Sequence, residues 1–78
     1  MARIIEGAKN NITGEKIRKL RKEQHLSQQD LSAKLETYAI YICRGSISRI
    51  EDGTRTVTDI ELYGLSQVLG CQISEFFQ

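Results

Sequence analysis

The sequence predicts an all-α fold, a compact bundle of about five short helices. The chain has no Pro and no Trp, and Leu and Ile supply most of its apolar side chains. This composition favours helices over a sandwich built with Pro- and Gly-rich turns. Apolar residues recur three or four positions apart in several segments, which is the spacing of an amphipathic helix. Most of these segments follow a Ser or Thr of the kind that begins helices. At 78 residues, the chain makes one domain with a small core.

Charge is unevenly distributed along the chain, although the formal net charge is only +1. Residues 1–26 contain seven Lys and Arg side chains against three Glu, whereas residues 52–78 contain one Arg against four acidic side chains. This asymmetry indicates that one end of the domain faces nucleic acid. The alternative is that the basic helix face is simply solvated.

Several classes of site and location are disfavoured by what the sequence lacks. It has no apolar leader and no run near the ~20 residues that cross a bilayer, which predicts a cytoplasmic protein without membrane contact. Cys43 and Cys71 are too few for a disulfide framework and match no zinc spacing with His25, so we expect no metal and no small-molecule cofactor. Because the sequence shows no nucleophile–base pair and no phosphate-binding Gly loop, we expect no enzyme activity.

The first part of the chain predicts a tail and then a helix. Residues 1–12 show no periodicity and include an Asn-Asn loop signal, so we expect an N-terminal tail there and a domain over residues 13–78. Thr13 is a candidate N-cap for a basic helix over residues 15–24.

A second helix is predicted over residues 28–36. Ser27 is a candidate N-cap, and Asp30 three positions later makes a capping-box variant. Leu31 and Leu35 lie four positions apart and would face the core.

Residues 37–43 (TYAIYIC) form an apolar, β-prone segment without a hairpin partner. Seven such residues would make a poor isolated strand. We therefore expect an ordered connector whose Tyr and Ile side chains pack on the core. The alternative is an extension of the second helix by one turn.

The next stretch, residues 44–52, predicts a short helix with two different faces. At about 100° per residue, Ile47 and Ile50 share one side. The opposite side carries short, cationic or acidic groups, namely Arg44, Gly45, Ser48, Arg49 and Asp52. Ile42 and Ile47 have the spacing of a hydrophobic staple, and Gly53 fits the position after the helix. Such a helix can enter a DNA major groove; a merely solvated amphipathic helix is the alternative.

A fourth helix follows the capping box of Thr58 and Glu61 and is predicted to end near Leu69. Gly64 within it indicates close packing of a neighbour, and Gly70 is suited to end it.

The last residues predict one short helical turn with Ser74 as its N-cap. Phe76 and Phe77 are adjacent and cannot both face one core. We expect one of them to be exposed and to form a dimer contact.

Together these segments resemble the Cro/phage-repressor family of bacterial DNA-binding domains, the XRE-like helix-turn-helix type. Residues 26–35 (LSQQDLSAKL) and 47–53 (ISRIEDG) carry the resemblance, and residues 17–21 (IRKLR) and 65–70 (LSQVLG) also fit. The resemblance covers about residues 13–77. It implies a lambda repressor-like fold that contains a helix-turn-helix.

The resemblance also implies a function and a set of DNA contacts. We expect a sequence-specific regulator of transcription, a repressor, that binds double-stranded DNA as a homodimer on a palindromic operator. The residues expected to read bases are Arg44, Gly45, Ser48 and Arg49. The residues expected to hold phosphates are Lys16, Arg18, Gln28 and Arg55.

Two features depart from the family pattern. Ile47 lies twelve positions after Leu35, so roughly five residues are inserted between the two helices of the motif. Cys43 takes a cap position where the family usually has Ser or Thr. A thiol at a helix N-terminus has reason to be acidic, which raises the hypothesis of a redox switch at Cys43.

A second function remains open at this point. The hydrophobic insertion and the paired Phe would suit a protein-interaction module, such as an antitoxin or an anti-repressor partner. Steep salt dependence of binding would distinguish DNA recognition from this alternative.

Overall fold

A computed structural model of the protein describes residues 9–78. It contains four α-helices and a final 3₁₀ helix, which are α1 (Gly14–Glu23), α2 (Gln28–Glu36), α3 (Arg44–Asp52), α4 (Asp59–Leu69) and the 3₁₀ helix Ile73–Phe77. Within the described range there is no strand, so the all-α prediction is confirmed. Residues 1–8 of the predicted tail lie outside the described residues.

The core is formed by apolar side chains from every helix and from the connector before α3. Its buried members are Ile17, Leu31, Leu35, Ile42, Ile47, Ile50, Leu65, Leu69 and Phe76. Helix α3 packs against both α1 and α2, and α4 covers α2 and α1 from the other side. Because α3 lies against two helices, its inner face is held firmly and its outer face remains available.

Two helices begin as their capping boxes predict. Ser27 Oγ accepts a hydrogen bond from the Asp30 amide at 2.9 Å, and the Asp30 carboxylate accepts one from the Ser27 amide at 2.9 Å. Thr58 and Glu61 make the same reciprocal pair at 3.1 and 3.0 Å. These bonds satisfy amide groups that a helix leaves unpaired at its start.

The caps predicted at Thr13 and Ser74 are wrong in detail. Thr13 precedes α1, but its backbone is helical (φ −107°, ψ −11°) and its buried hydroxyl has no partner. Asn11 does the capping instead, since its Oδ1 accepts from the amides of Thr13 and Gly14 at 3.1 and 2.8 Å. Likewise the 3₁₀ helix begins after Gln72 rather than at Ser74, and the Gln72 amide donates to the Glu75 carboxylate at 2.8 Å.

The connector between α2 and α3 is ordered and combines both predicted alternatives. The chain continues beyond Glu36 for a further turn, in which Ala39 adopts φ +59°. The Ile40 amide then donates to Leu35 O at 3.1 Å and the Ala39 amide to Glu36 O at 2.9 Å. These two bonds form a Schellman motif, which usually has Gly at the position that Ala39 occupies.

Only half of the packing expected for the connector occurs. Ile42 is buried, and Ile40 packs so closely against Gly64 that a Cβ there would collide with Ile40 Cδ1, which confirms the close approach predicted at Gly64. In contrast, Tyr38 is 48% exposed and Tyr41 is 78% exposed, so the expectation that the tyrosines pack on the core is wrong. The two Ile side chains anchor the segment to the core, whereas Tyr38 lies in the turn that continues α2 and Tyr41 lies between the two Ile residues.

Candidate nucleic-acid interface

The two faces of α3 are divided as the helical spacing predicts. Ile47 and Ile50 are each only 1% exposed, and Ile42 is buried with them as the staple requires. The outer residues Arg44, Gly45, Ser48 and Arg49 are all exposed. Gly53 ends the helix with φ +84°, a conformation that favours Gly. The structure therefore brings the four predicted base-reading residues together on one free surface.

The guanidinium of Arg49 lies back along the first half of α3. Its Nη2 donates to Ser46 Oγ at 3.1 Å, and a Cβ built at Gly45 would lie 3.6 Å from its Nη1. The absence of a side chain at Gly45 therefore leaves the helix surface open beside the guanidinium. This open position allows another molecule to approach the backbone of α3 closely.

A buried ion pair fixes α3 against α1. Arg21 Nε and Nη2 donate to the Glu51 carboxylate at 2.6 and 2.9 Å, and Arg21 Nη1 donates to Leu26 O at 2.7 Å. The hydrogen bond with Glu51 raises the pKa of the Arg21 guanidinium despite desolvation. Because the geometry is bidentate, this pair sets the angle between the two helices as well as their separation.

Sequence reasoning missed this pair, but a signal for it exists. Arg21 follows Ile17 by four positions, and Glu51 follows Ile47 by four. Both charged residues therefore lie on the buried stripe of their helix. Opposite charges at matched core positions of two helices are most simply explained as partners.

Two of the predicted phosphate-binding residues lie beside the outer face of α3. Arg18 and Gln28 line one shallow groove together with Ser48 and Asp52. The Gln28 amide is already oriented there, because its Nε2 donates to Glu51 Oε1 at 3.1 Å. We call this surface the α1–α3 groove. It places a cation and an amide donor beside a predicted base-reading position.

The other two predicted phosphate-binding residues lie elsewhere. Lys16 lines a different surface with Ile12, Phe76 and Phe77, and the structure does not bring it to the α1–α3 groove. Arg55 also lies outside that groove and is paired with Glu61, with N–O distances of 2.9 and 3.0 Å. The Arg55 hydrogen bonds hold the pKa of the Glu61 carboxyl below its usual range. A phosphate that contacted Arg55 would have to share it with this carboxylate.

The end of α3 is tied down by residues that the sequence placed in the predicted tail. Asn11 Nδ2 donates to Ile50 O at 3.0 Å and to Arg55 O at 2.7 Å. Asn10 contacts two carbonyls that lie between these in the chain, donating from its backbone amide to Gly53 O at 2.6 Å and from Nδ2 to Thr54 O at 2.9 Å. A loop signal in the sequence cannot identify acceptors about forty positions away. The useful signal is that Asn is also a favoured residue just before a helix.

Cys43 occupies the N-cap position of α3 and is exposed. Its side chain does not cap the helix, but the thiol lies 3.4 Å from the Ser46 hydroxyl. Hydrogen bonding from the Ser46 side chain and backbone, and from the Gly45 backbone, lowers the pKa of the Cys43 thiol. Burial raises the pKa of the Cys71 thiol. A redox switch at Cys43 stays a prediction.

The two terminal phenylalanines have different environments. Phe76 is 1% exposed and belongs to the core, whereas Phe77 is 54% exposed. One exposed member of the pair was expected. Phe77 is therefore the member that remains available for the predicted dimer contact.

Through residues 9–78, no helix combines the length and apolar character needed to cross a membrane.

Comparison with known proteins identifies the family. No curated protein matches the chain. Residues 17–76 match the family model HTH_3, described as helix-turn-helix, and this match spans most of the chain. The protein belongs to this Cro/phage-repressor-type, XRE-like family of DNA-binding regulators.

Proposed function

We propose that this protein is a sequence-specific repressor of transcription that reads the major groove of double-stranded DNA with α3. The observation that carries the proposal is the α1–α3 groove, which Arg18 and Gln28 line together with Ser48 and Asp52 of the exposed face of the helix. Phosphate contacts position a protein on DNA, and base contacts specify the sequence. This groove supplies groups for both tasks next to each other.

In the proposed complex, Arg44 and Arg49 donate to guanine N7 and O6, which is the commonest specific contact in the major groove. Gly45 contributes no side chain and lets the helix approach the base edges. Ser48 can donate or accept a hydrogen bond and therefore tolerates more than one base. The buried contacts of Ile47 and Ile50 keep these four groups in register.

The proposed phosphate contacts come from two residues inside the α1–α3 groove and two residues outside it. Arg18 and Gln28 contact the strand beside α3, and the Glu51 hydrogen bond orients the Gln28 amide for this purpose. Lys16 and Arg55 lie farther from this groove and add weaker contacts, Arg55 because Glu61 shares its guanidinium. Each phosphate neutralised adds to the salt dependence of binding.

The proposed regulator acts in the cytoplasm as a homodimer on a palindromic operator. Half-sites should then lie about one helical turn, ~34 Å, apart. Phe77 is the proposed dimer contact, because a Phe that is more than half exposed in so small a domain gains from being covered.

Selection of bound duplexes from a random DNA pool tests the proposal directly. We expect a palindromic consensus and binding that falls steeply as salt rises. A promoter that carries the selected site should give lower reporter expression when the protein is present. Failure to bind any duplex at low salt would favour the alternative of a protein-interaction module.

The role of Arg49 is tested on the selected site. We expect Arg49→Ala to lose about 1–3 kcal/mol of binding free energy there and to relax the preference at one base position. Lys34→Ala is the matched control, since it removes one positive charge from the exposed last turn of α2. Equal losses of Arg49→Ala on selected and random DNA would mean that Arg49 contacts only the backbone.

A further inference from the structure

Tyr41 is the most exposed large hydrophobic side chain of the described residues. Its exposure is not the result of a loose segment, because both neighbours are anchored. The Ile40 amide donates to Leu35 O, and Ser32 Oγ donates to Ile42 O at 2.7 Å in a buried position. Ile40 and Ile42 pack on the core on either side of Tyr41, which itself is 78% exposed. The fold therefore holds this ring in solvent at a fixed place.

That place adjoins the proposed recognition surface. Tyr41 lines a second shallow groove together with Gln29 and Glu36 of α2 and with Cys43 and Arg44 at the start of α3. The Arg44 guanidinium gives this groove a positive charge beside the Glu36 carboxylate. We call it the connector groove. The α1–α3 groove lies along the middle and end of α3, whereas the connector groove lies at its first turn. The two grooves thus border different parts of the same helix.

We propose that Tyr41 is an additional DNA-binding residue, whose hydroxyl donates to a backbone phosphate and whose ring covers the adjoining deoxyribose. This inference rests on the proposed function, since it assumes that α3 enters the major groove of a duplex. The phenol is suited to the role because one end of Tyr is apolar and the other is a hydrogen-bond donor. Tyr is one of the side chains that contact phosphates in protein–DNA complexes.

The position of Tyr41 explains why such a contact would be useful. The insertion moves the start of α3 farther from α2 along the chain, and Cys43 gives its first turn no side-chain cap. A phosphate contact three residues before Arg44 holds this end of the helix against the DNA. The contact is uncharged, so it adds affinity without adding to the salt dependence.

The test compares binding of the full chain and three variants to a duplex selected by the wild-type protein. We expect Tyr41→Ala to weaken binding about tenfold. Tyr41→Phe should show a large part of the same loss of affinity, because the hydroxyl that it lacks donates to a charged acceptor. The slope of log affinity against log salt should stay unchanged in both variants. Tyr63→Ala is the matched control, since Tyr63 is also more than half exposed, on α4, but lines neither groove.

Single methylphosphonate substitutions in the duplex locate the contact. One neutralised phosphate should weaken the wild-type protein and leave Tyr41→Phe unaffected. Wild-type affinity in Tyr41→Ala, or equal losses in Tyr41→Ala and Tyr63→Ala, would overturn the inference while leaving the proposed function intact. Absence of any duplex binding by the wild-type protein would overturn both.

Discussion

The two ends of α3 are held by different kinds of contact. At the C-terminal end, Asn11 hydrogen-bonds to Ile50 O, Glu51 pairs with Arg21, and Gly53 adopts the left-handed conformation that ends a helix. At the N-terminal end, Cys43 provides no side-chain cap, and the chain arrives through a turn that holds Ala39 at positive φ. Burial of Ile42 and one hydrogen bond from Ser32 anchor that end.

Internal hydrogen bonds are thus concentrated at the C-terminal end of the helix, and two of the four proposed base-reading residues lie at the other end. Arg44, Gly45 and the connector groove lie at the end where internal hydrogen bonds are few. Side chains and backbone there are free to bind another molecule. Substitutions at the C-terminal end should therefore be costly, and well-chosen ones at the N-terminal end should increase stability.

The largest expected effect is at Glu51. Glu51→Ala leaves the buried Arg21 guanidinium without its partner, and removing one member of a buried pair costs about 3–5 kcal/mol of unfolding free energy. Urea unfolding followed by circular dichroism measures this loss. Glu23→Ala, which removes an exposed carboxylate at the end of α1, should change stability by less than about 0.5 kcal/mol. Similar small losses in both variants would mean that the pair does not hold α3.

Asn11 should give the next largest effect. Asn11→Ala removes four hydrogen bonds of a buried side chain and leaves Ile50 O and the start of α1 unsatisfied. We expect a loss of about 2–3 kcal/mol and faster amide hydrogen exchange in the last turn of α3. Asn10→Ala loses one exposed side-chain bond and should cost under about 1 kcal/mol. A loss at Asn10 as large as at Asn11 would argue against the central role given to Asn11.

These two predictions also mark where sequence reasoning succeeded and failed. Local signals placed the start and end of α3 correctly, because Ile47, Ile50 and Gly53 act within a few residues of one another. The Arg21–Glu51 pair and the bonds from Asn11 Nδ2 to Ile50 O and Arg55 O join positions thirty or more residues apart. No local pattern contains such partners, and a charged residue or an Asn is ordinarily read as exposed.

In the candidate site, too, some features follow from the local sequence and others depend on tertiary packing. The exposure of Arg44, Gly45, Ser48 and Arg49 follows from helical period alone. Lys16 and Arg18 lie two positions apart, about 200° around α1, so the same period already separates them. Only the surface that Lys16 lines, with Phe76 and Phe77, depends on how the C-terminal residues pack against α1. The outward position of Tyr41 depends on which connector residues find space in the core, and Gly64 provides that space only in the folded chain.

At the N-terminal end of α3, Cys43→Ser should stabilise the protein by about 0.5–1 kcal/mol. Cys43 has φ −73° and ψ 162°, nearly the same values as the working caps Ser27 and Thr58. A Ser hydroxyl placed there can accept from the Ser46 amide, which the thiol does poorly. Thermal unfolding of Cys43→Ser and Cys43→Ala separates the effect of a cap from the effect of losing the sulfur, since only the Ser variant should gain stability.

The same two variants test the redox hypothesis at Cys43. Mild peroxide should lower the operator affinity of the wild-type protein and of neither variant.

The smallest expected effect is a gain at the turn that leads to α3. Ala39 has φ +59°, a conformation that costs an L-residue about 1–2 kcal/mol relative to Gly. Ala39→Gly removes this cost, but Gly also makes the unfolded chain more flexible, which favours unfolding. We therefore expect a net stabilisation of about 0.5 kcal/mol. Ala33→Gly, on the exposed face of α2, is the matched control and should destabilise by about 1 kcal/mol. Opposite signs from the same chemical change would show that backbone conformation, and not the lost methyl group, decides the outcome. If both variants lost stability equally, the turn before α3 would not be strained, and the contrast between the two ends of the helix would rest on the cap at Cys43 alone.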